Sequence, residues 1–150
     1  LGLSEIEIHE LELLAEFHDI GKIAIPSEIT KKRMPLTDEE KELVKQHPAT
    51  GYRIATASTR LMPIADAILF HHEWWNGAGY PLGIEKEEIP YIARLFSIVD
   101  TFDMMTRGGV CKEPVKTHAA IEEIKRCANI KFDPELVKVF VKVMEVKAAI

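Results

Sequence analysis

The sequence has little cysteine, no long apolar run and no excess of positive charge. Its only two cysteines, Cys111 and Cys127, form no CxxC pair. This spacing argues against a disulfide framework and a thiolate zinc site, and it fits a reducing cytoplasm. No apolar stretch approaches the roughly 20 residues that cross a bilayer, so we expect no membrane contact by this domain.

The first residues also show no leader pattern. No basic segment followed by an apolar one opens the sequence, which begins with Leu1 rather than methionine and enters a predicted helix almost at once. We therefore expect the chain to be a fragment of a longer protein.

Size and charge limit what the chain can do. Its 150 residues, 47% of them apolar, can bury one good core, so we expect a single domain over 1–150. The formal net charge of -5 argues against a nucleic acid polymer as partner. A few lysines that converge on one pocket could still hold a small phosphorylated ligand.

Helical signals fill the first half of the chain. Ser4 and Glu7 form a capping-box pattern that starts a helix, which we expect to stop near Gly21. Thr37 and Glu40 repeat the pattern, and we expect the helix that they start to end at His47. His18 and Asp19 would then lie at the end of the first helix.

The second half is also predicted to be helical, apart from one long loop over 74–89 that contains three glycines. We expect helices over 49–57, from Pro63 to His71, from Pro90 to about Thr106, and over 117–128 and 134–147. In the last two, Thr117 and Asp133 are expected to be the N-caps. The fold class is therefore predicted to be all-α.

Histidines and aspartates near the predicted helix ends form a candidate metal site. They offer nitrogen and oxygen ligands without sulfur, which suits iron, manganese or zinc in a catalytic site. One ion seldom takes so many ligands from a protein, so we expect two ions, with Asp19 as the bridge, that hydrolyse a phosphoester. The candidate ligands are His18, Asp19, His47, His71, His72 and Asp100.

Each residue also has a simpler interpretation. A histidine at a helix end interacts favourably with the helix dipole, and Asp100 could form a buried salt bridge. His9 and His118 fit no cluster and are expected to be surface or packing residues. The glutamates of the first helix are expected to face solvent, although one of them could face the metals. Taken alone, each pattern leaves these alternatives open.

Three segments that contain these candidate ligands together resemble the HD-GYP family, a branch of the HD-domain metal-dependent phosphohydrolases. The first is HDIGK, from His18 to Lys22, and the second is HPATGYRI, from His47 to Ile54. The third is HHEWWNGAGYP, from His71 to Pro81, and further elements at 88–94 and 100–106 extend the likeness over about residues 1 to 145.

The resemblance implies a helical HD-domain-like bundle with a long GYP loop between helices. It also implies two or three divalent metal ions, commonly iron or manganese, and hydrolysis of the bacterial second messenger cyclic di-GMP in the cytoplasm. Its implied metal ligands are the six residues named above, of which His18 and Asp19 act in catalysis together with Lys22. Implied contacts to substrate come from Lys22, Gly77, Gly79, Tyr80 and Lys112, and Asp103 is expected to orient a metal ligand.

The chain departs from the family pattern at two places. The family usually has a further histidine ligand on a helix before the His-Asp pair, and His9 cannot replace it because nine residues of helix rise by about 13 Å. Gly109 stands where the family has a phosphate-binding arginine, for which Arg107 could substitute. We therefore expect a domain that lacks its N-terminal helix and an upstream sensory or receiver domain.

Two functions follow from these observations. The first is a metal-dependent phosphodiesterase that hydrolyses cyclic di-GMP, or a related cyclic dinucleotide, with a metal-activated water. The alternative is a catalytically impaired HD-GYP domain that acts as a cyclic dinucleotide receptor or as a protein-interaction module. In the second case a diguanylate cyclase or an adaptor protein would dock on the GYP loop, where Trp74 and Trp75 look exposed.

Overall fold

Eight α-helices make up the part of the chain that the structure, a computed structural model, describes: residues 2–32, 34–108 and 113–148. They are α1 (Glu5–Phe17), α2 (Ser27–Thr30), α3 (Asp38–Val44), α4 (His47–Thr56), α5 (Ala65–Phe70), α6 (Tyr91–Arg107), α7 (Thr117–Arg126) and α8 (Pro134–Ala148). Short 3₁₀ segments lie at Ile20–Ala24, Met62–Ile64 and Lys86–Glu88. Over the same ranges, the only β pairing is one isolated bridge, so the all-α prediction is confirmed.

Capping boxes begin α1 and α3, as the sequence predicts. Ser4 accepts a hydrogen bond from the Glu7 amide at 3.3 Å, and the Glu7 carboxylate accepts one from the Ser4 amide at 2.8 Å. Thr37 and Glu40 exchange the same two bonds at 3.3 and 2.8 Å. Because these bonds satisfy amides that have no partner within the helix, the start of each helix is determined locally.

The helix end predicted at His47 is wrong. His47 is instead the first residue of α4, and Pro48 follows it inside the first turn. Proline is tolerated there, since the amides of the first turn have no acceptor within the helix and the ring already holds a helical φ. His47 is thereby fixed at a helix start beside the 3₁₀ segment Ile20–Ala24, which packs against α4.

Two other predicted boundaries also differ. The helix expected from Pro63 to His71 is divided into the 3₁₀ segment Met62–Ile64 and α5, which ends at Phe70 and leaves His71 as its C-cap. Thr117 is not an N-cap, because Lys116 with its extended backbone occupies that place and Thr117 is already helical. The first change matters for function, because it moves both His71 and His72 beyond the helix.

Helix α6 divides the core into two clusters. Ala93 and Phe96 pack with apolar residues of α1, α4 and α5, whereas Leu95 and Ile98 pack with residues of α7 and α8. Consecutive positions on a helix point about 100° apart, so one central helix serves both clusters. Asp100 follows Phe96 by one turn and therefore lies on the face that looks towards α1 and α5.

A buried ion pair joins α6 to the start of α8. Arg94 donates to the Asp133 carboxylate at 2.7 Å, and both side chains are largely buried. The other oxygen of Asp133 accepts the amide of Glu135 at 2.9 Å, which confirms Asp133 as the N-cap of α8. The same carboxylate thus caps one helix and neutralises a cation on another.

We expect Asp133→Ala to destabilise the fold by about 3 kcal/mol, because it leaves Arg94 charged, buried and unpaired and also removes a helix cap. Guanidinium unfolding measures the change. Glu135→Ala is the matched control, since that carboxylate lies two residues away and its side chain is 76% exposed. A loss of less than about 1 kcal/mol for Asp133→Ala would contradict the assigned role.

Candidate metal centre

The predicted ligands come from helix ends and from one helix interior. His18 is the C-cap of α1 and Asp19 follows it, while His47 begins α4. His71 is the C-cap of α5, and His72 comes directly after it. Only Asp100 lies within a helix, in the second half of α6. Four separate stretches of backbone therefore meet at this site.

The side chains converge closely. The Nε2 atoms of His47 and His71 lie 3.4 Å apart, and His47 Nε2 is 3.3 Å from Asp19 Oδ1. His18 Nε2 lies 3.5 Å from Asp19 Oδ2 and 3.8 Å from Asp100 Oδ1. Two atoms that bind one ion at about 2.1 Å are at most about 4.2 Å apart, so these separations suit shared ions.

His72 belongs to the same cluster. One ring nitrogen from each of His47, His71 and His72 can be chosen so that all three lie within 4.8 Å of one another. The ring of His72 is also 4.0 Å from that of His71 between centroids. All six residues predicted as ligands are thus brought to one place.

Backbone carbonyls set the direction of three of the imidazoles. The Nδ1 atoms of His47 and His71 are each 2.7 Å from the carbonyl three residues earlier, on Val44 and Ile68. His18 Nδ1 has the same relation to Ala15 at 3.2 Å. A carbonyl only accepts, so the neutral rings of His47 and His71 carry their proton on Nδ1, and their Nε2 lone pairs point into the cluster.

This orientation tests whether the residues fit a metal. With both protons on Nδ1, the Nε2 atoms of His47 and His71 face each other at 3.4 Å as two acceptors without a hydrogen between them. Such a contact between buried atoms is unfavourable unless a cation lies there. The residues therefore fit a divalent metal that takes nitrogen and oxygen ligands.

The rings at the centre stay neutral. Burial, together with the charge of a neighbouring histidine, lowers the pKa of His71 to about 2 and that of His72 to about 3. Burial also lowers the pKa of His47. Only a neutral imidazole has the lone pair that binds a metal, so these rings are ready for ligation near neutral pH.

The two aspartates have different surroundings. Burial opposes ionisation of Asp19, but hydrogen bonds from His18 and Lys22 outweigh it and hold the pKa of this carboxyl well below its usual range. Burial raises the pKa of Asp100 against the opposing charge of His18. Asp19 also has one oxygen near His47 and the other near His18, which is the arrangement that a bridging ligand needs.

Two of the residues predicted to contact substrate lie at the cluster. The Lys22 ammonium is 2.6 Å from Asp19 Oδ2, and the Tyr80 ring stacks on His72 with centroids 4.8 Å apart. Burial raises the pKa of Tyr80 to about 12, which keeps its hydroxyl protonated. Their contacts to substrate stay predictions. Lys112 and Gly109 lie outside the described residues.

The glycines of the segment after His72 have a packing role. A Cβ on Gly79 would come within 2.5 Å of the Glu73 Cα, and Gly77 has a left-handed φ of +77°. Both therefore let the segment fold back on itself. That the same glycines also admit substrate stays a prediction.

Glu73 is a residue that sequence reasoning missed. It is only 3% exposed, and its carboxylate accepts the amide of Leu82 at 2.7 Å and that of Gly83 at 3.0 Å. It thus closes the segment that carries Tyr80. A carboxylate directly after the histidine pair and before a glycine-rich stretch is the signal that could have suggested this.

The tryptophans are less exposed than their sequence suggests. Both are half-buried, with the Lys131 ammonium 4.7 Å from the Trp74 ring and the Arg94 guanidinium 5.7 Å from that of Trp75. Trp74 also lines a cavity of about 140 Å³ together with His71, His72 and Asp100. Trp74 therefore forms part of the pocket wall beside the cluster.

The remaining polar candidates lie on the surface. His9 Nδ1 lies 3.8 Å from the Glu12 carboxylate with its side chain 66% exposed, and His118 is exposed on α7, as predicted. Asp103 pairs with Arg107 at 2.8 Å, four residues further along α6. That Asp103 orients a metal ligand stays a prediction, and Arg107 is engaged in this exposed pair.

Comparison with known proteins identifies the family. The model of the HD domain family matches residues 1–136. The chain belongs to the HD domain family. HD domains bind divalent metals, which agrees with the histidine cluster described above. The resemblance inferred from the sequence segments is thereby confirmed.

Several known proteins are similar to this HD domain. A cyclic di-GMP phosphodiesterase of Thermotoga maritima is 39% identical over 144 residues, which cover 95% of this chain and 39% of that protein. A solved HDGYP protein from Bdellovibrio bacteriovorus superposes with a TM-score of 0.72 at 20% identity, over 96% of this chain and 46% of the other. A cyclic GMP-AMP specific phosphodiesterase of Vibrio cholerae gives a TM-score of 0.70 at 21% identity, over 96% and 40%.

The HD domain described here spans about two fifths of the length of the Thermotoga relative. Among the described residues, no helix combines the length and the apolar character that crossing a membrane requires.

Proposed function

We propose that this HD domain is a metal-dependent phosphodiesterase that hydrolyses cyclic di-GMP or a related cyclic dinucleotide. The observation that carries the proposal is the pair of facing Nε2 atoms on His47 and His71, surrounded by two carboxylates and two further imidazoles. Two of the similar proteins are named phosphodiesterases of cyclic dinucleotides, which supports the choice of substrate.

We propose two or three divalent ions at this centre, with iron or manganese as the metal. Six side chains are more than one ion usually takes from a protein, and Asp19 has an oxygen available on each side. The donor set of nitrogen and oxygen without sulfur suits either metal. When bound, such ions supply Lewis-acid polarisation of the phosphate and activation of the attacking water.

The side chains around the centre have complementary tasks in this proposal. Asp19 and Asp100 provide negative charge that balances the cations, and the three imidazoles fixed by backbone carbonyls hold them in place. Lys22 offers a positive charge to a phosphate oxygen at the edge of the cluster, 2.6 Å from Asp19 in this structure. Tyr80, protonated and stacked on His72, offers a hydroxyl and an aromatic face to the dinucleotide.

The receptor alternative is kept because Gly109 stands in the sequence where the family pattern has a phosphate-binding arginine. Docking of a diguanylate cyclase or an adaptor on the segment around Tyr80 also stays a prediction, as does location in the bacterial cytoplasm. The half-buried state of Trp74 and Trp75 lends no support to docking through exposed tryptophans.

The test measures metal content and turnover on the same sample. We expect the protein, purified without chelator and supplied with Fe²⁺ or Mn²⁺, to hold at least two ions per chain by elemental analysis and to convert cyclic di-GMP to a linear product. Chelation should abolish turnover, and the same metal should restore it. Binding without turnover at full metal occupancy would support the receptor, and absence of binding at micromolar cyclic di-GMP would exclude both functions.

A further inference from the structure

Two adjoining cavities extend from the metal centre along α6. The smaller one, of about 140 Å³, has His71, His72 and Asp100 in its wall. The larger one, of about 610 Å³, lies between α6 and α7 and is called the α6–α7 cavity below. Both cavities are lined by Thr101, Met104, Lys131 and Phe132, so they meet at these residues.

The α6–α7 cavity has the size and lining of a small-molecule site. Its volume falls within the roughly 300 to 1,000 Å³ that is usual for ligand pockets. Met104, Met105, Val115 and Ile124 supply apolar contacts, and methionine sulfur packs well on aromatic rings. A flat purine is an aromatic ring of suitable size for such a wall.

Lys131 lies where the two cavities meet. Lys131 belongs to the connection between α7 and α8. Its backbone carbonyl accepts a hydrogen bond from the Trp75 amide at 3.0 Å, which fixes the backbone at this residue. Its ammonium lies over the Trp74 ring at 4.7 Å. A lysine held beside a cavity, with donors still available beyond the aromatic ring, can bind an acceptor of a ligand.

We propose that the α6–α7 cavity is the subsite for one guanine base of the dinucleotide whose cleaved phosphate lies at the metal ligands, with Lys131 donating to guanine O6 and N7. This inference rests on the proposed function and adds the residue that selects the base.

The choice of guanine follows from the hydrogen-bonding groups of the bases. Guanine presents two acceptors, O6 and N7, on the edge where adenine presents one acceptor and the N6 donor, so a cation favours guanine. Glu123 also lines the cavity, held by Arg126 at 2.8 Å. Its carboxylate can accept from guanine N1–H and N2–H, whereas adenine N1 is itself an acceptor.

The test compares guanine and adenine dinucleotides in matched variants. The specificity ratio is kcat/KM for cyclic di-GMP divided by that for cyclic di-AMP, replaced by the ratio of association constants if the protein does not turn over. We expect Lys131→Met, which keeps an apolar side chain on Trp74, to lower this ratio about ten-fold. Lys138→Met, whose side chain is 70% exposed on α8, should leave the ratio unchanged.

A second variant approaches the cavity from α7. Ala119→Leu adds bulk to the lining without removing a helix former, and we expect it to raise KM, or the dissociation constant, for cyclic di-GMP by about ten-fold. Thermal melting confirms that both variants fold. If neither variant differs from the wild type in these measurements, the subsite assignment fails.

The outcomes separate the two proposals. An equal loss for both dinucleotides in Lys131→Met would assign the lysine to a phosphate and overturn the guanine contact. Turnover of cyclic di-GMP with neither variant different from the wild type refutes the subsite and keeps the hydrolase. Binding without turnover, with a lowered ratio, keeps the subsite and refutes the hydrolase, and a wild-type protein that binds neither dinucleotide refutes both.

Discussion

Asp19→Asn is expected to lower phosphodiesterase activity by more than about 100-fold, because loss of a group that merely orients a metal ligand already costs 10- to 100-fold. The substituted amide would keep the shape of the side chain but lose the charge that Asp19 directs towards His47 through one oxygen and towards His18 through the other. Cyclic di-GMP hydrolysis at saturating Mn²⁺ and the number of bound ions are measured together.

The control for this variant is Asp38→Asn, the same chemical change at a side chain that is 92% exposed on α3. It should retain the activity and the metal content of the wild type. Full activity in Asp19→Asn would contradict the bridging role, and an unchanged metal count with lost activity would show that Asp19 acts on the substrate rather than on the ions.

Gly21→Ala is expected to destabilise the fold by about 3 kcal/mol and to lower the melting temperature by about 10 °C. A Cβ at this position would lie 2.6 Å from the Gly51 amide nitrogen and within 2.9 Å of the His47 carbonyl carbon. Both are backbone atoms of α4, which cannot rotate away. The 3₁₀ segment after Asp19 would have to move from α4, and His47 would separate from Asp19.

Gly2→Ala is the matched control, since a Cβ on Gly2 meets nothing within 4 Å. Its φ of +63° makes alanine mildly unfavourable, but near the chain start the cost should be about 1 kcal/mol or less. Calorimetric melting of both variants measures the difference. If Gly21→Ala melts with the wild type and still binds metal, the close approach between the 3₁₀ segment and α4 is not required.

The helix starts at Ser4, Thr37 and Asp133 were predictable because a cap is a local event. A side chain bonds to an amide two or three residues away, so the signal lies within one turn of sequence. The boundary at His47 was not, because proline both interrupts a helix and opens one. Whether Pro48 ends α3 or opens α4 depends on which of the two helices includes the residues just before it.

The candidate ligands were predictable as residues, and their resemblance to HD-GYP segments grouped them before any coordinates were known. Glu73 was not, because its partners are backbone amides nine and ten residues away in a segment without periodicity. The position of Lys131 was not predictable either. Its ammonium lies over the Trp74 ring only because the connection between α7 and α8 packs against the segment that follows α5.

The sequence by itself determined the all-α fold class, most helix starts, the family and the six residues that meet at the centre. The fold class and the helix starts depend on interactions within a few residues. The family and the six residues depend on whole segments that match the family pattern. Only the tertiary structure decided which imidazole nitrogens face each other, which carboxylate reaches two histidines, and which lysine adjoins a cavity. The physical reason is that such contacts join residues far apart in the chain, and their distances are set by the packing of α1, α4 and α5 around α6.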